Sequence, residues 1–142
     1  EGSIYYTNGN FGTAGDSRSG KHIFRGLTTN DFLNEIFIGD VADSRLDFQD
    51  NSINTVEILI TGTRLITLGG VSFRFEACFQ NTAGTLSMLG FTKTRLGFTD
   101  NDYDVVLDVD EDSTDTMRLR CKGKTGHSIR WMAVVNTVEV AQ

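Results

Sequence analysis

The chain has 142 residues, 39% of them hydrophobic and 23% charged, with a net charge of −6. That length suits one domain with a real core, and the composition excludes disorder as the main state. The acidic balance argues against nucleic acid, which binds a basic face, and no apolar run approaches the ~20 residues of a membrane-spanning helix.

Fifteen glycines, ten phenylalanines and no proline suit many short strands and tight turns. Residues 1–20 carry Ile4, Tyr5, Tyr6 and Phe11 among Gly, Ser, Thr and Asn without a sustained period. They read as an N-terminal arm or linker, and residues 21–142 as one β-domain. Within that stretch Gly15, Gly20 and Lys21 have the spacing of a phosphate-binding loop. His22 stands where Ser or Thr must hold magnesium, and no helical pattern follows, so no nucleotide site is expected.

Residues 21–26 and 32–38 read as short strands around a turn, and residues 39–52 as a polar loop around Leu46 and Phe48. Val56, Ile58 and Ile60 then share one side of a strand, with Gly62 a point of bending, and Leu65, Ile66 and Leu68 continue it to the turn at Gly69 and Gly70. Val71, Phe73, Phe75, Ala77 and Phe79 alternate with Ser72, Arg74, Glu76, Cys78 and Gln80, which is the pattern of a half-buried strand. Residues 81–84 turn the chain, and residues 86–96 form the next strand, with Gly90 as a bulge. Residues 97–102 form a loop, residues 103–109 a strand and residues 110–115 an acidic turn.

In the final stretch Met117, Leu119 and Cys121 alternate with Arg118 and Arg120, and a glycine-rich turn follows. Ile129, Trp131, Ala133 and Val135 then share one face, while Arg130, Met132, Val134 and Val138 share the other. Both faces are largely apolar, whereas a lone antiparallel sheet keeps one wet face. The second face is therefore expected to be covered by another sheet or another subunit. Turn signals every ten residues or so, without a helical apolar period, make the fold all-β: an antiparallel β-sandwich or jelly roll.

No constellation for catalysis stands out. Asp108, Asp110 and Asp112 begin like a calcium loop, but Ser113 and Leu119 occupy the positions that need Gly and a bidentate Glu. His22 and His127 have no nucleophile elbow to serve. Cys78 and Cys121 belong to no metal-binding spacing and read as two buried thiols. No catalytic, cofactor-binding or metal residue is assigned, and no cofactor is expected. Trp131 reads as core. Phe98, Asp100, Asn101 and Tyr103 border a polar loop and are candidates for surface contact. Arg130, Met132, Val134 and Val138 are candidates for an interface, where Arg130 would need an acidic partner or a bound anion.

Seven short pieces follow one another in a fixed order: VEILITGTR at 56–64, FRFEA at 73–77, GTLSMLG at 84–90, YDVVL at 103–107, MRLRC at 117–121, GHSIRWMA at 126–133 and TVEV at 137–140. Together they resemble the C-terminal domains of bacteriophage tail fibres and tail needles. The resemblance covers residues 56–140. It implies a TNF-like jelly-roll knob that assembles as a homotrimer at the distal tip of a fibre or needle, in a virion put together in the host cytoplasm. Such a tip meets a bacterial surface glycan or another envelope component during attachment or penetration, by binding and mechanical strength and not as an enzyme. The alternative is a stand-alone carbohydrate-binding β-sandwich module, and a weaker one is a small hydrolase joining His127 to an acid.

Overall fold

A computed structural model of the protein describes residues 2–6, 16–110 and 115–142. These residues form nine strands: β1 (Ser3–Tyr6), β2 (Ser17–Thr28), β3 (Leu33–Ile38), β4 (Ser52–Arg64), β5 (Gly70–Thr82), β6 (Thr85–Phe98), β7 (Asp104–Asp110), β8 (Thr116–Lys122) and β9 (Ile129–Ala141). All pair antiparallel, in the order β6-β5-β4-β9-β2-β3-β8-β7, with β1 added to β2. The all-β antiparallel class read from the sequence is the class that forms.

The order contains one weak joint. β2 pairs with β9 over its whole length, from Ser17↔Val140 to Thr28↔Ile129, but with β3 only at Phe24↔Ile38 and Arg25↔Phe37. The sheet bends there, and β3, β8 and β7 fold across the broad face of β2, β9, β4 and β5. One core fills the space between. It contains Phe24, Ile36, Val56, Ile58, Ile60, Phe73, Phe75, Phe79, Leu107, Met117, Leu119, Trp131 and Val135. The two-residue period of the sequence selects these side chains, because alternate residues of a strand face opposite sides.

The far edges, β6 and β7, approach each other without backbone pairing. Lys93 of β6 donates to the Val105 carbonyl of β7 at 2.7 Å, and Arg95 donates to the Tyr103 carbonyl at 3.2 Å. The same two cations lie over the rings of Phe73 and Phe75. The near-closed sheet is thus sealed by inward-pointing charges, a device that also keeps a strand edge from pairing with other chains. β6 departs from regular register next to Gly90, as expected, and a second time between Ser72 and Phe73 of its partner. Ala83 (φ 51°) and Gly84 (φ 89°) form the β5–β6 turn. Both have positive φ, which matches the twist of the flanking strands.

Several expectations are changed by the structure. The strand read at 21–26 begins at Ser17, so residues 17–21 of the phosphate-loop-like stretch are extended and paired with β9. Residues 3–6 of the stretch read as an arm form β1 on the edge of β2. Phe11, Gly15 and most of the acidic turn lie outside the described residues. Cys121 is buried as a free thiol, pushed up in pKa by that burial first and by Asp104 second. Cys78, read as buried, is only half-buried, because its parity places it on the outer face of β5.

At the end of the core opposite the β4–β5 turn, polar groups replace apolar ones. Arg18 donates to Glu139, which also accepts from the backbone and side chain of Gln49 at 3.0 and 2.6 Å. His22 is fully buried on the inner face, with Nδ1 2.8 Å from Ser3 Oγ and the ring edge-on to Tyr5. Burial first, and the Arg18 charge second, push its pKa down to about 4. Above about pH 6.5 the ring is neutral in both folded and unfolded chains and adds no pH dependence. Between 6.5 and 4 the unfolded chain takes up a proton that the folded chain refuses, so stability falls as pH falls. The loss should be about 1–2 kcal/mol once solvent screening at the sheet end is included. Melts of wild type and His22→Gln between pH 7 and 4.5 check this. The variant should lose that part of the slope, and equal slopes would place the proton uptake elsewhere.

Candidate functional site

Two surfaces stand out: the outer face of the broad sheet and the loops at one of its ends. β9 alternates strictly, with Ile129, Trp131, Ala133 and Val135 buried and Arg130, Met132 and Val138 exposed. The parity read from the sequence is the parity observed. Among the described residues of one protomer, nothing covers the outer face. Met132 is 51% and Val138 59% exposed, and Val134 is half-buried.

The register extends that face into its neighbours. Val134 lies opposite Ile23 of β2 and Leu59 of β4, Val140 lies opposite Ile53, and Val138 lies opposite Ser19 and Thr55. Leu59 is 47% exposed. The central row Ile23–Val134–Leu59 then runs into Arg74 of β5, which is paired with Glu57 and Glu76. The face spans β2, β9, β4 and β5, with an apolar centre and charged flanks.

On its buried side β9 carries Trp131. Gly26 and Gly62 flank Trp131 on its two neighbour strands. A Cβ on Gly62 would stand 2.5 Å from the indole ring, so only glycine leaves room for it. The Trp131 Nε1–H donates to Thr28 Oγ1 at 2.8 Å, deep in the core. Trp131 is core, as expected, and Gly62 forms a bed for its ring.

The second surface lies where the β2–β3, β4–β5, β6–β7 and β8–β9 connections meet. Of the four residues expected to form a surface loop, Phe98 and Asn101 are exposed and Asp100 is half-buried. Tyr103 is not at the surface. It is buried, and its hydroxyl is 2.6 Å from His127 Nδ1. The physical reason is parity: Tyr103 shares the inner side with Val105 and Leu107. Burial first, and the Asp100 charge second, raise its pKa. Lys124 bonds Asp100 at 2.9 Å and Asp102 at 3.0 Å, and Arg95 reaches Asn101 at 3.3 Å. The Asp100 carboxyl sits below its usual range because the Asp102 amide, and then Lys124, hydrogen-bond it. These contacts brace the loop.

Sequence reasoning missed the β4–β5 tip. It read Leu65, Ile66 and Leu68 as a continuing strand, but β4 ends at Arg64, whose amide donates to the Gly69 carbonyl, while the Leu65 amide donates to Ser128. Ile66 and Leu68 project from the turn at 92% and 93% exposure. The signal was the closeness of Gly69 and Gly70, which forces the hairpin to close early. Among the described residues no group of His, Cys, Asp and Glu is placed to hold a metal ion. Asp108, just before the acidic turn, bonds Arg118 and Arg120.

The fold and these surfaces define an all-β domain with an uncovered sheet face and a loop-rich end. No family model matches the chain, and no curated protein matches it. Among solved structures it is similar to the tailspike protein gp49 of Acinetobacter baumannii bacteriophage Fri1, a capsular polysaccharide depolymerase. That match has 16% identity over 85% of this chain and 18% of the other, with a TM-score of 0.45. It is also similar to the tailspike protein of Acinetobacter baumannii phage AM24, with 12% identity over 87% of this chain and 26% of the other, and a TM-score of 0.41. The chain therefore spans about a fifth to a quarter of those proteins.

Proposed function

We propose that this domain is a structural part of a bacteriophage tail: the trimeric, TNF-like knob at the distal end of a tail fibre or tail needle, which contacts the host envelope. The observation that carries this reading is the uncovered apolar row of the outer sheet face, Ile23, Val134 and Leu59, with Met132, Val138, Val140 and Ile53 around it. Exposed apolar surface of this extent marks an interaction site, and obligate subunit interfaces resemble a domain core cut in half. The tail-fibre-like pieces of the sequence fall on the strands and turns from β4 to β9 that build this face and its backing core. The knob acts by binding and mechanical strength, and its ligand is a bacterial surface glycan or another envelope component.

Light scattering at micromolar concentration tests the assembly. The expected mass is three times 15.7 kDa, and a monodisperse monomer would overturn the trimeric reading. The second reading, a monomeric carbohydrate-binding module, draws on the exposed Phe98 ring beside Arg95. It requires a monomer that binds glycan and loses that binding on Phe98→Ala.

A further inference from the structure

The β4–β5 turn breaks the usual chemistry of turns. Turn residues are commonly Gly, Pro, Asn, Asp or Ser, and an aliphatic side chain in full solvent has no role in the fold. Here Leu65, Ile66 and Leu68 occupy the tip, with Ile66 and Leu68 almost fully exposed. A local choice that contradicts its own environment marks a functional position. The tip is also convex. The outer sheet face suits a second copy of the chain, but a protruding hairpin needs a soft or concave counterpart.

The tip is flanked on both sides. One flank is a hollow of about 600 Å3 bordered by Leu65, Leu27, Met132, Arg25 and Arg130. The other is a hollow of about 560 Å3 bordered by Leu68, Leu96 and Phe98. Phe32, 72% exposed, extends the apolar surface at the β2–β3 turn. Arg25, Arg64 and Arg130 stand behind the tip with no ion-pair partner among the described residues. The nearby acids Asp100 and Asp102 are engaged by Lys124, leaving Asp31 and Asp40 on that side. On a chain of net charge −6, the unpaired charge beside the tip is mainly cationic.

We propose that the 65–69 turn inserts Ile66 and Leu68 into the interface of an anionic phospholipid bilayer, with Arg25, Arg64 and Arg130 meeting the headgroups. Aliphatic side chains on a short protrusion with arginines behind them fit the acyl–headgroup boundary. Each arginine gains from the negative surface within a Debye length. The proposal names the envelope component for the knob reading and rests on that reading only for strength. One such tip binds weakly, and three tips on one particle bind far more tightly through effective concentration.

The test is flotation of the full chain with vesicles of phosphatidylcholine mixed with phosphatidylglycerol, alongside pure phosphatidylcholine, with the mass of each sample measured by light scattering. The chain should float with the mixed vesicles, more weakly with pure phosphatidylcholine, and less as salt rises. Ile66→Asp/Leu68→Asp should reduce the bound fraction at least about tenfold while its melting temperature and mass stay unchanged. Both residues are solvent-exposed, so the variant keeps the core intact. Arg64→Gln/Arg130→Gln should remove the preference for anionic vesicles. No flotation of a trimeric parent would overturn the proposal and leave the knob reading standing. So would flotation unaffected by Ile66→Asp/Leu68→Asp. A monomer that floats would do the reverse.

Discussion

Replacing Trp131 by Ala is expected to cost each protomer about 3–5 kcal/mol of stability. The indole is buried, lies against Gly62 and donates to Thr28. Its removal therefore leaves both a cavity and a buried hydroxyl without its donor. Against the 5–15 kcal/mol typical of a domain, the variant is near its limit. Gly62→Ala approaches the same spot from the other side. Its Cβ would meet the ring at 2.5 Å, and the overpacking should cost about 1–3 kcal/mol. Arg130→Ala, one residue from the indole but on the outer face, should leave the protomer within about 0.5 kcal/mol. Denaturant melts of the three variants, with tryptophan emission of the parent, check the set. A red-shifted parent emission with a harmless Trp131→Ala would mean that the strand is inside out.

Much of this arrangement was legible in the sequence, for a physical reason. Where one face of a strand is buried and the other is not, register is fixed by the two-residue period. The core sides of β5 and β9 could therefore be read directly from Val71 to Phe79 and from Ile129 to Val135. The same period already placed Tyr103 inside with Val105 and Leu107, but the acidic neighbours Asp100, Asp102 and Asp104 drew it to the surface in the reading. It also placed Glu139 inside. There Arg18 and Gln49 satisfy a carboxylate that looks solvated between Val138 and Val140.

Other features were not legible because they depend on partners distant in sequence. That Lys93 and Arg95 point toward the core follows from the gap between β6 and β7, which no local pattern encodes. The strand at β6 is readable, but its wide exposure at Leu89, Phe91 and Leu96 depends on its lying at a seam. The tip was missed because aliphatic residues after a strand look like more strand. Only the hairpin closure at Thr63↔Gly70 puts them in solvent.

For the trimer proposed above, pairing Leu59→Asp with Val134→Asp is expected to give monomers. The two side chains face each other across β4 and β9 at the centre of the outer face. In the isolated protomer they are partly exposed, so the substitutions should cost the fold only about 1 kcal/mol, chiefly through lost strand propensity. In a closed assembly the same carboxylates lose water. Arg74, the cation next to Leu59 in the register, is already engaged by Glu57 and Glu76. An unpaired buried charge costs about 3–5 kcal/mol, which is roughly two to four decades in association constant for each carboxylate. Light scattering should then report 15.7 kDa in place of three times that mass. Far-ultraviolet circular dichroism should be unchanged, and the melting temperature should no longer depend on protein concentration. If the double variant stays trimeric, the contact between subunits lies elsewhere on the protomer, and the apolar row Ile23–Val134–Leu59 is no longer the basis of assembly.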